Sequence, residues 1–142
     1  MKIYVAGRFQ SYGKVRACID ALVERGHEIT YDWTRSPEFG PDGHPVAPGV
    51  DKNGFSAPWT TTRKALERYA MRDIQGVRDA DALVLLADDS LAGAWVEMGV
   101  ALERGTPIYV IKPERWTIFL ECSGVTTLDS VETLYCWLGG AK

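Results

Sequence analysis

The sequence predicts an α/β protein: a doubly wound, flavodoxin- or Rossmann-like parallel sheet of about four to five strands with helices on both faces. Three observations carry this expectation. Short apolar runs alternate along the chain with longer segments of helical period. One run, "ALVLLA" at 82–87, is continuously apolar, as a strand covered on both faces must be. The chain of 142 residues suits one domain spanning 1–142, large enough to bury roughly 70% of its unfolded surface.

Each element has its own signal. "KIYVAG" (2–7) reads as a buried first strand that ends at Gly7. The segment 13–25 places Val15, Cys18, Ile19, Leu22 and Val23 at helical spacing, and Gly26 supplies a stop. "HEITYDW" (27–33) reads as the second strand. From about 34 to 62 the chain is rich in Pro, Gly, Asp and Ser, which predicts a long variable loop of the functional or disordered kind. Threonines at 60–62 can cap a helix from 63 to about 79, whose apolar stripe is Leu66, Ala70, Ile74 and Val77. After the third strand comes a helix within 91–105, with one of Asp88, Asp89 and Ser90 expected as its cap. "PIYVI" (107–111) is the fourth strand and "WTIFL" (116–120) a short fifth strand or an irregular piece. "DSVETLYCWLGG" (129–140) is a terminal helix.

Composition excludes several function classes. Sixteen basic and nineteen acidic residues give a net charge of −3 with no basic block, so binding to a nucleic-acid polymer through phosphate contacts is not expected. No apolar run approaches the roughly 18 residues that a membrane span requires, and "MKIYVAGRFQ" is too short an apolar stretch for a signal peptide. Cys18, Cys122 and Cys136 are an odd number without metal-ligand spacing, which points to reduced thiols and a cytoplasmic location. His27 and His44, the two histidines, have no Cys or His at zinc-ligand spacing, so no metal and no cofactor are expected. No G-x-G-x-x-G, G-x-x-x-x-G-K-[ST] or G-x-S-x-G occurs, which weakens dinucleotide, P-loop and serine-hydrolase readings.

In sheets of this kind ligands bind at the carboxyl ends of the strands. Four loop segments converge there: "AGRFQSYG", the long loop, "ADDSLAGA" and "KPERW". Within "LAGAWVEMGVALERG" (91–105), Glu97 stands out in a helix otherwise built of small and apolar residues. Placed in or near the first turn, it either favours the helix start through the backbone dipole or performs chemistry as nucleophile or general base. Asp73 lies at the margin of the 63–79 stripe; it is either a surface ion pair with Arg72 or Arg78 or a second catalytic carboxyl. Asp79 and Asp81 read as turn or cap residues. Acid groups and aromatic surfaces together suit a flat heterocycle attached to a polar sugar.

"IYVAGRF", "RDIQGVRDADALVLL" and "GAWVEMGVALERGTPIYVI", in this order from residue 2 to about 112, resemble the nucleoside 2-deoxyribosyltransferase family, which includes related N-hydrolases of deoxynucleoside 5′-monophosphates. The resemblance implies that Glu97, in "EMGVA", attacks the anomeric carbon. It implies that Asp73 assists proton transfer to the leaving base and that Tyr4 helps to hold the nucleophile. Gly7, Arg8 and Phe9 at the "AGRF" turn, with Asp89, Ser90 and Gly93 before the nucleophile, are the implied substrate-binding residues. Arg8 suits a 5′-phosphate, and its alternative is an ordinary exposed arginine. The chain departs from the family at the residue six places before Glu97, which is Leu91 rather than Asp or Ser; Ser90 is the substitute. The segment after Lys112 does not match. The implied activity is cleavage of a nucleoside or nucleotide N-glycosidic bond with transfer of the sugar to another base. Water as acceptor is one alternative, and a non-catalytic nucleotide-binding or sensing module another. A homo-oligomer is expected from the resemblance and the tryptophan content.

Overall fold

The computed structural model describes residues 1–35, 63–87 and 91–139. Its strands are β1 (Lys2–Gly7), β2 (Glu28–Ile29), β3 (Ala82–Leu86), β4 (Ile108–Ile111) and β5 (Val125–Leu128). They form one parallel sheet in the order β2-β1-β3-β4-β5. The helices are α1 (Tyr12–Glu24), α2 (Arg63–Asp79), α3 (Gly93–Arg104) and α4 (Val131–Trp137). This strand order is the flavodoxin-like variant of a doubly wound sheet, and its topological switch point lies between β1 and β3.

Alternation along β1 sorts the helices to the two faces. Tyr4 meets α2 at Gly76 and α3 at Glu97, whereas Gly7 meets Val15 of α1. Arg25 of the turn after α1 lies over the ring of Tyr135 on α4, which places α4 on the α1 side. The core between these layers includes Ile3, Tyr4, Val5, Val84, Leu85 and Met98. Gly26 and Gly105, at φ 84° and 69°, close α1 and α3 in the left-handed region that glycine adopts without penalty.

Several expectations need correction. The second strand is two residues long instead of 27–33. The Asp32 carboxylate accepts from the Thr34 N–H at 3.0 Å and the Thr34 hydroxyl at 2.6 Å, which pulls the chain into a 3₁₀ turn at Trp33–Arg35. Thr34 therefore belongs to this turn, and the rest of the expected loop, 36–62 with its threonine caps, lies outside the described residues. Of the two readings of "WTIFL" the irregular one holds, since Thr117 caps a 3₁₀ turn at Ile118–Glu121; the fifth strand is instead "VTTL" after Gly124. The N-cap of α3 is Ala92, with no side-chain capping bond, rather than Asp88, Asp89 or Ser90, which lie outside the described residues. Val23 of α1 and Ala70 of α2 are exposed instead of buried. The terminal helix is shorter than expected, starting after Ser130, whose hydroxyl accepts from the Thr133 N–H at 3.1 Å. Among the described residues no helix is long and apolar enough to cross a membrane.

Candidate active site

The β1/β3 switch point opens into a cleft of about 330 Å³. β1 and the turn after it contribute Gly7, Arg8, Phe9 and Gln10, and the short turn beyond β2 contributes Trp33. α2 brings Asp73, and the start of α3 brings Ala92, Gly93, Ala94 and Glu97. Of the residues singled out in the sequence, Gly7, Arg8, Phe9, Asp73, Gly93 and Glu97 share this lining. Asp89 and Ser90 fall outside the described residues.

Glu97 is 9% exposed and is, with Thr34, one of two buried polar or charged side chains among the described residues. It sits in the second turn of α3, not the first, so the helix end is a weaker partner than the sequence suggested. Its partner is Tyr4, fully buried in β1, whose hydroxyl donates to Glu97 Oε1 at 2.9 Å. Burial pushes the Glu97 carboxyl up to about 8, and the nearby Asp73 charge adds to the rise. The Tyr4 hydrogen bond works in the opposite direction, favouring the carboxylate. Burial first, then Glu97 and Asp73, raise the Tyr4 phenol well above its ordinary value, so it stays a neutral donor at physiological pH. Asp73 is half-buried and acts electrostatically on both partners, which places it beside Glu97 and Tyr4.

Two features were not singled out in the sequence. Trp33, 9% exposed, forms one wall of the cleft; its indole N–H donates to the Val5 carbonyl at 2.9 Å and its ring stacks on Phe9 at 6.0 Å and 25°. Together they present an aromatic surface suited to a heterocyclic base. Across the cleft Arg8 is the one cation among the described lining residues, its Nε donating to Gln10 Oε1 at 3.0 Å. The second feature is Gly76, buried in the last turn of α2, where a glycine costs a helix up to about 1 kcal/mol relative to alanine. The signal for Gly76 was present in that cost. The place of Trp33 depends on the 3₁₀ turn, which no periodicity announces. Elsewhere, among the described residues, no group of three or more His, Cys, Asp or Glu side chains could hold a metal ion.

Neither known protein-family models nor curated protein sequences match the chain. In three dimensions it is similar to the Clostridium botulinum CMP N-glycosidase BcmB. The TM-score is 0.55 at 12% sequence identity, covering 97% of this chain and 98% of that one, and the likeness is one of fold.

Proposed function

We propose that this protein cleaves the N-glycosidic bond of a nucleoside or its 5′-monophosphate with Glu97 as nucleophile, and passes the deoxyribosyl group to a second base. The observation that supports this most is the buried Glu97 carboxyl, bonded by Tyr4 and coupled to Asp73 in a cleft with an aromatic wall. As the C1′–N bond breaks, its electron pair goes to the base and positive charge gathers on the sugar. A Glu97 oxygen bonds C1′ and captures that charge, as in retaining glycosidases.

The leaving base needs a proton. In the free protein burial and the Asp73 charge keep one on Glu97 at neutral pH. Developing charge on the sugar favours ionised Glu97, so the proton of the pair passes through Asp73 to the base nitrogen. Tyr4 stabilises the carboxylate this leaves behind. In the second half an acceptor nitrogen attacks C1′, its proton returns to the carboxyl pair, and the Glu97–C1′ bond breaks. Arg8 supports a 5′-phosphate on the sugar. Hydrolysis, with water as acceptor, is the second reading, favoured by the CMP N-glycosidase activity in the name of the similar structure.

The test is chromatography of products from deoxynucleosides, ribonucleosides and their 5′-monophosphates, with and without a second free base. Exchange that requires the acceptor supports transfer; base release without it supports hydrolysis. Tight binding with no product from any substrate would leave a nucleotide-binding module and overturn the reading.

A further inference from the structure

Gly76 occupies a place where no side chain fits. A Cβ there would lie 2.8 Å from two ring carbons of Tyr4 and 2.9 Å from the Tyr31 Cβ, inside any normal carbon–carbon separation. Gly76 is not among the glycines with positive φ, so close approach and not backbone freedom accounts for it. A second tie acts at the same residue. The Thr30 hydroxyl, just past β2, donates to the Gly76 carbonyl at 2.7 Å. Gly76 lies in the last turn of α2, so Thr30 ties the end of the helix to the chain just past β2.

Asp73 stands three residues before Gly76, on the same face of α2. The depth at which α2 rests on the Tyr4 ring therefore sets where the Asp73 carboxylate stands. We propose that Gly76, held by Thr30, is a positioning residue: its missing side chain seats α2 on Tyr4 and so keeps Asp73 against Glu97 and the Tyr4 hydroxyl. Among the described residues, the titratable groups that act on Glu97 are Tyr4 from β1 and Asp73 from α2, and Arg8 lines the same cleft. Of these, Asp73 is the one that α2 carries. The catalytic consequence rests on the function proposed above, whereas the arrangement of the pair does not.

Two readouts keep these apart. Glu97 is titrated by carbon NMR of protein labelled at the glutamate carboxyls, its signal assigned with Glu97→Gln, in the native protein, Gly76→Ala and Thr30→Val. A displaced α2 moves Asp73 away and lets water reach Glu97, so both variants are expected to shift the Glu97 midpoint downward, Gly76→Ala further. In parallel, kcat/KM for the best substrate falls at least about tenfold in Gly76→Ala. A folded Gly76→Ala protein whose Glu97 titrates as in the native protein overturns the proposal. Should Gly76→Ala fail to fold, Thr30→Val decides: an unchanged midpoint overturns the proposal and a downward shift supports it. If the native protein turns over no substrate, the function proposed above fails while the NMR titration still decides the role of Gly76.

Discussion

Two depressions flank α3, and the larger one is the poorer in chemistry. On one side lies a groove of about 490 Å³ whose lining includes Trp95, Met98, Leu102, Pro113, Trp116 and Phe119. On the other lies the cleft of about 330 Å³ with Glu97 and Asp73. The groove offers apolar area, two exposed charged residues, Glu114 and Arg115, and exposed aromatics such as Trp116, 68% exposed, whose indole N–H donates to Glu121 at 2.9 Å. The cleft offers a buried carboxyl held at about 8 beside a second acid and a buried phenol. Volume marks where something can sit; perturbed titration beside a specific partner marks where something can react.

The largest effect expected is on Glu97. If Glu97 is the proposed nucleophile, Glu97→Ala should lower kcat/KM by at least about a thousandfold; activity within tenfold of native would remove Glu97 from the chemistry. The isosteric Glu97→Gln should be as inactive yet more stable. The folded carboxyl titrates above its ordinary 4.5, so the native protein loses stability as pH rises from there towards 8. By pH 7 the amide variant should be favoured by up to about 3 kcal/mol in denaturant titrations, and below pH 4 by little.

Asp73→Asn comes next, with an expected loss of about 10²- to 10⁴-fold. Its pH profile is the sharper test. In the proposed mechanism the pair works with one proton, so native kcat/KM should fall as pH rises through about 8. Without Asp73 there is no shared proton to deliver, and Glu97 titrates lower. The variant's residual rate should then rise with pH and level off below the native midpoint; an unchanged falling limb would show that Asp73 does not share the proton. Tyr4→Phe removes one hydrogen bond to Glu97 and should cost about ten- to a hundredfold in kcat/KM while moving the Glu97 midpoint upward. Smallest of all, Trp116→Ala in the groove should leave kcat/KM within about twofold. A tenfold loss there would erase the distinction between the two depressions.

Much of this arrangement was legible in the sequence because it rests on period and spacing. β1, α1, α2, β3 and β4 appear within a few residues of where apolar periodicity puts them. Tyr4, Asp73 and Glu97 could be singled out because each stands in a recognisable pattern, and the structure brings the three together. What escaped depends on chemistry that periodicity does not carry. Asp32 ends β2 through two side-chain bonds, and so turns Trp33 from a strand residue into a wall of the cleft. Thr117 diverts "WTIFL" into a 3₁₀ turn, leaving four residues after Gly124 to form β5. Gly76 stood in plain view, but the partner that requires it, Tyr4, is 72 positions away (76 minus 4).

That separation bears on how the protein comes into being. The Tyr4–Glu97 bond joins residues 93 positions apart, and β1 is an inner strand flanked by β2 and β3. Until the chain reaches β3, one edge of this apolar strand has no neighbour, and the Tyr4 hydroxyl has no Glu97 to bond. Contacts of such long range form slowly and leave strand edges open to other chains in the meantime. The wait between β1 and β3 is therefore one stage of synthesis exposed to aggregation. A ribosome-bound chain that stops short of α3 can have part of the sheet and one wall of the cleft, but not Glu97.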